Sequence, residues 1–167
     1  MMASLTCWAK KYQVSAAFTC HPEPMGTIEP DDGQVTAIRD ADSVSWSVRA
    51  AAGRRLAAST ELTGFTHVLH RLLLDNQDTG VIQETAEALL ARGDASGLRT
   101  VLAALACAAS TDALDQLSAA VDCNPIWMTV EGTARLVKQL QELVADDDEG
   151  VRNEALRLLD PILQRRK

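Results

Sequence analysis

Residues 78–107 read D-T-G-V-I-Q-E-T-A-E-A-L-L-A-R-G-D-A-S-G-L-R-T-V-L-A-A-L-A-C, and this stretch decides the fold. Its apolar residues recur every three to four positions, the spacing that gives a helix one apolar side. Asp78 or Thr79 can cap the first helix, and the pattern is interrupted at Gly93-Asp94. Glycine there suits a left-handed helix end, and aspartate suits the N-cap of the next helix. The stretch therefore predicts a pair of helices joined by a tight turn.

The same pattern recurs along the chain at a shift of 33 residues. Val48 aligns with Val81 and Gly64 with Gly97. The same step maps the second-helix residues Phe65, Val68, Leu69 and Leu72 onto Leu98, Val101, Leu102 and Leu105. A further step from Val81 reaches Leu114, which is expected on the apolar face of the first helix in a third pair. A fixed period of this length is typical of stacked helical repeats.

The last two units are less regular. Asn124-Pro125 is a strong helix start, because asparagine caps and proline suits the first helical position. It predicts a partner helix from about Ile126 to Val144. The fourth unit follows the acidic run at 146–149 and is only a half-repeat, in which Pro161 is expected to stop or kink the helix.

Two regions differ in composition. Residues 1–40 contain three of the five prolines and no apolar run long enough for a signal peptide or a membrane helix, which needs about 20 apolar residues. We expect them to be disordered or loosely attached, with Met25 as a possible functional start. Residues 41–167 are expected to form the helical repeat domain.

Composition restricts the function classes. Aromatic residues make up only 4% of the 167 residues, which favours close helix packing over sheets. The net charge of −7 argues against a general nucleic-acid binder, whose affinity comes from neutralising phosphates. The four cysteines form no C-x-x-C pair and no disulfide framework, which predicts reduced thiols in a cytoplasmic protein.

The chain resembles the HEAT-repeat and HEAT-like α-solenoids. The matching residues are an acidic turn followed by Val-Arg, found at Asp42 through Val48-Arg49 and at 146–148 through Val151-Arg152. The resemblance implies an all-α fold, a short right-handed α-solenoid of about three and a half helix-pair repeats. It also implies that the second helices line a concave binding surface.

A neutral-to-basic groove is predicted from the repeat register. If residues 65, 68, 69 and 72 face the core, then residues 67, 70 and 71 and their counterparts face the concave side. Small residues at 100, 103, 104 and 107 form the middle of this groove. Trp127 is a further candidate, either as an interface anchor or as filling at the irregular junction. The predicted partner-binding residues are His67, His70, Arg71, Arg99, Arg135, Lys138, Gln139 and Trp127.

No motif predicts chemistry. His67 and His70 share one side of a helix, but no third ligand completes a metal site. No phosphate-binding loop or nucleophile motif is present, so we predict no cofactor and no catalytic residue. The predicted function is a non-enzymatic protein-binding module, as a regulator, adaptor or toxin-neutralising protein that takes another protein or peptide. The alternative is a nucleic-acid-binding HEAT protein similar to DNA glycosylases.

Overall fold

The protein is all-α. The computed structural model describes residues 32–164, which contain eight α-helices, two short 3-10 helices and no strand. The two 3-10 helices span Thr63–Phe65 and Pro125–Met128. The α-helices are α1 Asp32–Asp40, α2 Trp46–Ala57, α3 Thr66–Leu73, α4 Thr79–Ala91, α5 Ala95–Cys107, α6 Thr111–Asp122, α7 Val130–Leu143 and α8 Glu149–Gln164.

The central pair, α4 and α5, has the predicted N-caps and the predicted turn. The Asp78 carboxylate accepts a hydrogen bond from the Gly80 N–H, and the Asp94 carboxylate accepts one from the Gly97 N–H. Each cap satisfies a backbone donor that the first helical turn leaves open. Gly93 between the helices has φ of 67°, a left-handed conformation that glycine adopts without steric cost.

Two rows of helices build the body of the fold. In one row α2 packs on α4 and α4 on α6, while in the other α3 packs on α5 and α5 on α7. Helix α8 leaves this order: it packs on α5 and α7, within the row of second helices. A regular fourth unit would instead have stacked α8 on α6.

The apolar face predicted for α5 is buried throughout, and so are residues 151, 155, 158 and 159 of α8. The prediction for α6, the first helix of the third pair, is wrong at Leu114, which is exposed, whereas Ala113 is buried. Helix α6 is capped by Ser110, whose hydroxyl accepts a hydrogen bond from the Ala113 N–H. The exact 33-residue step therefore lands one residue beyond the buried face.

The end of the chain also departs from the predicted boundaries. The segment after Asn124 is the 3-10 helix Pro125–Met128, and α7 begins only at Val130 after a second cap at Thr129. Pro161 does not stop the last helix: α8 continues through it to Gln164.

Residues 32–40, which were assigned to the loosely attached segment, form α1. This helix packs on α2 and buries Ala37. The remainder of that segment, including Met25, lies outside the described residues. Within residues 32–164 no helix has both the length and the apolar character needed to cross a membrane.

Candidate functional site

The predicted concave groove is not open over α5. Helix α8 packs on α5, with Gly150 so close to Ala106 that a Cβ on the glycine would lie 2.7 Å from the alanine Cβ. Thr100 and Ala104, which were expected to line the middle of the groove, are buried. The structure therefore divides the predicted groove into separate patches on α3 and α7.

Two of the predicted cations are bound by the chain's own carboxylates. Arg99 Nε and Nη2 donate to the two carboxylate oxygens of Asp146, at 2.7 and 2.9 Å. The hydrogen bond from Arg99 lowers the pKa of the Asp146 carboxyl more than partial burial raises it. Arg71 pairs with Asp42 at 2.9 Å, in an exposed position. The Arg99 pair holds the turn before α8 against α5.

The predicted residues of α7 split between two environments. Gln139 is buried, and its side-chain amide donates to the Gly93 carbonyl at 2.7 Å. This bond fixes α7 against the turn between α4 and α5. Arg135 and Lys138 are exposed. Of the three polar residues predicted on α7, these two remain accessible to a partner.

The two histidines of α3 also differ. His67 is exposed, whereas His70 is partly buried where α3 meets α5 and the turn before α8. Burial lowers the pKa of His70, because it disfavours the charged ring. A hydrogen bond with the Ala103 backbone and the nearby Asp148 charge oppose this effect without cancelling it. His70 is therefore held mainly in its neutral form.

The shifted pKa of His70 predicts a pH dependence of stability. Because the folded state has the lower pKa, the unfolded state binds the proton more readily as the pH falls below the ordinary value of 6.5. The free energy of unfolding is expected to fall between pH 7 and about pH 5, above the range where carboxylates contribute. In His70→Asn this decrease should be smaller, and in the control His67→Asn it should match the wild type. Urea unfolding at several pH values measures it, and identical profiles for all three proteins would contradict the assignment.

Trp127 lies in a short segment that is fixed at both ends. The Asn124 side chain accepts from the Ile126 N–H, and Thr133 of α7 donates its hydroxyl to the Trp127 carbonyl at 2.7 Å. Gly132 brings α7 against this segment, since a Cβ there would lie well under 3.0 Å from the Ile126 carbonyl oxygen. The indole packs against the core but is not fully buried.

A groove of about 620 Å³ with a mainly apolar lining opens beside Trp127, between the 3-10 helix Pro125–Met128 and α8, and Asp122 and Arg157 also line it. We call it the Trp127 groove. Trp127 and Leu136 line one side, and Leu158 and Ile162 of α8 line the other. Met128, at 73% exposure, stands at its edge, and Val130, at 80%, follows two residues later in the chain. Exposed apolar residues beside an apolar groove are typical of protein-binding sites.

One side of this groove is predictable from the sequence, and the other is not. Trp127 with its neighbours 126 and 128 was recognised as an apolar cluster. Leu158 was expected only in the core of a half-repeat, and nothing indicated that α8 faces Trp127. The helical period shows which side of α8 is apolar, but it carries no information on which element that side meets.

No group of three or more histidine, cysteine, aspartate or glutamate side chains within residues 32–164 is placed to hold a metal ion. Comparisons with known proteins add no assignment: no family model, no curated protein and no solved structure matches the chain. The site must therefore be interpreted from its own geometry.

Proposed function

We propose that this chain is a non-enzymatic protein-binding module that takes the apolar side of a partner's helix in the Trp127 groove. The observation that carries the proposal is the apolar groove with the highly exposed Met128 at its edge. A hydrophobic groove that receives an amphipathic helix is a recurrent mode of recognition. Methionine suits this role, because its flexible side chain adapts to different apolar surfaces.

We further propose that the body of the fold is a short HEAT-like α-solenoid. Two features support this proposal: the successive packing of α2, α4 and α6, and that of α3, α5 and α7. In this view α8 is an irregular final unit that folds back over the second helices. It fills the concave side and, by the same displacement, forms one wall of the Trp127 groove.

The charge distribution favours a protein partner over nucleic acid. Within the described residues seven arginines already have carboxylate partners: Arg49, Arg54, Arg55, Arg71, Arg92, Arg99 and Arg157. Binding to phosphates would have to separate these pairs in a chain whose net charge is −7. We place the protein in the cytoplasm, where the thiols of Cys107 and Cys123 would stay reduced.

Affinity capture with the tagged full chain and matched variants tests this proposal. Met128→Asp puts a charge at the edge of the groove and should reduce capture of the groove partner about tenfold or more, since burying a charge against the apolar side of a helix is costly. Leu114→Asp is the control, because it replaces another exposed apolar residue on α6. Arg135→Glu with Lys138→Glu tests the basic patch of α7.

The outcomes separate the possible sites. A protein lost only with Met128→Asp supports the groove, and its identity shows whether the module acts as a regulator, adaptor or toxin-neutralising protein. A protein lost only with the α7 charge reversals would move the site to that patch and overturn the groove. Nucleic acid retained by the wild type, and released steeply as salt rises, would favour the alternative function.

A further inference from the structure

Arg49, a buried arginine, holds the start of α2 through both edges of its guanidinium group. The Nη1 group of Arg49 donates to the carbonyls of Ser43 and Val44, six and five residues earlier. Its Nε and Nη2 groups, on the opposite edge of the guanidinium, donate to both carboxylate oxygens of Asp75. Asp75 lies in the turn before α4, the helix that packs on α2. One edge therefore closes the arginine's own turn, and the other binds a carboxylate from the turn before the neighbouring helix.

Arg152 repeats the first half of this arrangement in α8. Its Nη1 group donates to the carbonyls of Asp146 and Asp147, again six and five residues earlier, at 2.7 and 3.0 Å. Within residues 32–164 its Nε and Nη2 groups have no hydrogen bond and no ion pair. The edge of the Arg152 guanidinium that carries Nε and Nη2 is thus open, whereas the same edge of Arg49 binds a carboxylate.

The side of α8 that carries Arg152 is partly open to solvent. Leu156, one turn later, is 42% exposed, and Leu163 is exposed two turns further on. Asp160 lies between them, is exposed, and has no ion pair within the described residues. Positions four and seven residues apart fall on the same side of a helix. Together these residues form an amphipathic stripe, which we call the α8 stripe.

The α8 stripe is complementary to itself. Arg152 lies four residues before Leu156, and Asp160 lies four residues after it. If two copies of α8 lie antiparallel with Leu156 at the centre, each Arg152 comes beside the Asp160 of the other copy. A two-fold interface requires this reciprocity, since the same patch must serve both partners.

We propose that the protein forms a two-fold symmetric dimer through the α8 stripe. Leu156 packs on Leu156 at the axis, and the open edge of each Arg152 binds the carboxylate of Asp160 in the second copy. A second copy is the proposed occupant because Arg152 and Asp160 carry opposite charges at equal distances from the apolar centre. The exposed Glu149, seven residues before Leu156, lies on the same side and comes opposite Leu163 of the second copy. The Trp127 groove uses another side of α8, that of Leu158 and Ile162, and stays open in the dimer.

The mass of the full-length protein in solution tests the dimer, measured by sedimentation velocity over a wide range of concentration. Arg152→Asp and Asp160→Arg should each raise the dimer dissociation constant by at least about tenfold, because each places two pairs of like charges at the interface. The charge swap Arg152→Asp with Asp160→Arg should restore the dimer. The control Arg157→Asp lies outside the stripe and should leave the dimer intact.

Circular dichroism verifies that each variant is folded, which matters most for Arg152→Asp because this change also removes the hydrogen bonds to the Asp146 and Asp147 carbonyls. Concentration-dependent dimerisation that is lost in both single variants and restored in the swap supports the proposal. A wild-type protein that stays monomeric at every concentration overturns it. A dimer that the single variants leave unchanged, or that the swap fails to restore, overturns the proposed pairing. Loss of capture with Met128→Asp reports on the other site, so the two proposals fail separately.

Discussion

Asp75→Asn is expected to lower the free energy of unfolding by about 3–5 kcal/mol, because it leaves a buried arginine without its counter-charge. Arg49 is only 4% exposed, and the Asp75 side chain is nearly as buried. Asparagine keeps the shape of aspartate and can still accept from the N–H groups of Gln77 and Asp78, as Asp75 does. The loss therefore measures mainly the uncompensated charge, and urea unfolding at neutral pH measures it.

Two comparisons isolate this effect. Asp42→Asn removes the carboxylate of the exposed pair with Arg71 and should cost no more than about 1 kcal/mol. In an Arg49→Met background Asp75→Asn should cost much less than in the wild type, since no buried charge remains to be left alone. Equal losses from Asp75→Asn in the two backgrounds would show that the Arg49 charge is not what Asp75 stabilises.

Gly132→Ala is expected to destabilise the fold by about 1–3 kcal/mol, although alanine is favoured over glycine in a helix interior by about 1 kcal/mol. The new Cβ would meet the Ile126 carbonyl oxygen and would lie 2.9 Å from the Thr129 hydroxyl oxygen. Neither is the end of a long flexible side chain, so α7 and the segment with Trp127 must move apart.

Gly64→Ala is the matched control for this substitution. A Cβ on Gly64 has no neighbour within 4 Å, so the change should be neutral or slightly stabilising. The same urea unfolding measures both variants. If both lose the same stability, crowding against Ile126 is not the cause.

The local structure was largely predictable from the sequence. Asp78 and Asp94 cap the two central helices and Gly93 forms the turn between them, as expected. Caps and left-handed turns depend on residues close together in the chain. The apolar period likewise predicted the buried side of α5. The error at Leu114 has a local origin, since an exact step of 33 residues did not allow for the one-residue displacement of the buried face of α6.

The placement of α8 was not predictable in the same way. Its apolar residues were identified, but the helix lies on α5 through contacts such as that of Arg99 with Asp146, which are 47 residues apart. Both α5 and α6 offered apolar surface, and a helical period cannot choose between them. The prediction of an open groove over α5 was therefore wrong. One side of the Trp127 groove was missed for the same reason, because the apolar period does not determine which helix α8 packs on.

The position of α8 also has a kinetic consequence. Helices α2 and α4 can pair soon after both have been synthesised, whereas the surface of α5 that receives α8 must wait for residues 146–164. At usual translation rates a separation of 47 residues corresponds to a delay of roughly 2–9 s. During that interval the nascent chain exposes the small apolar residues of α5. The ribosome-bound intermediate is thus the stage at which this protein is most prone to aggregate or to engage chaperones.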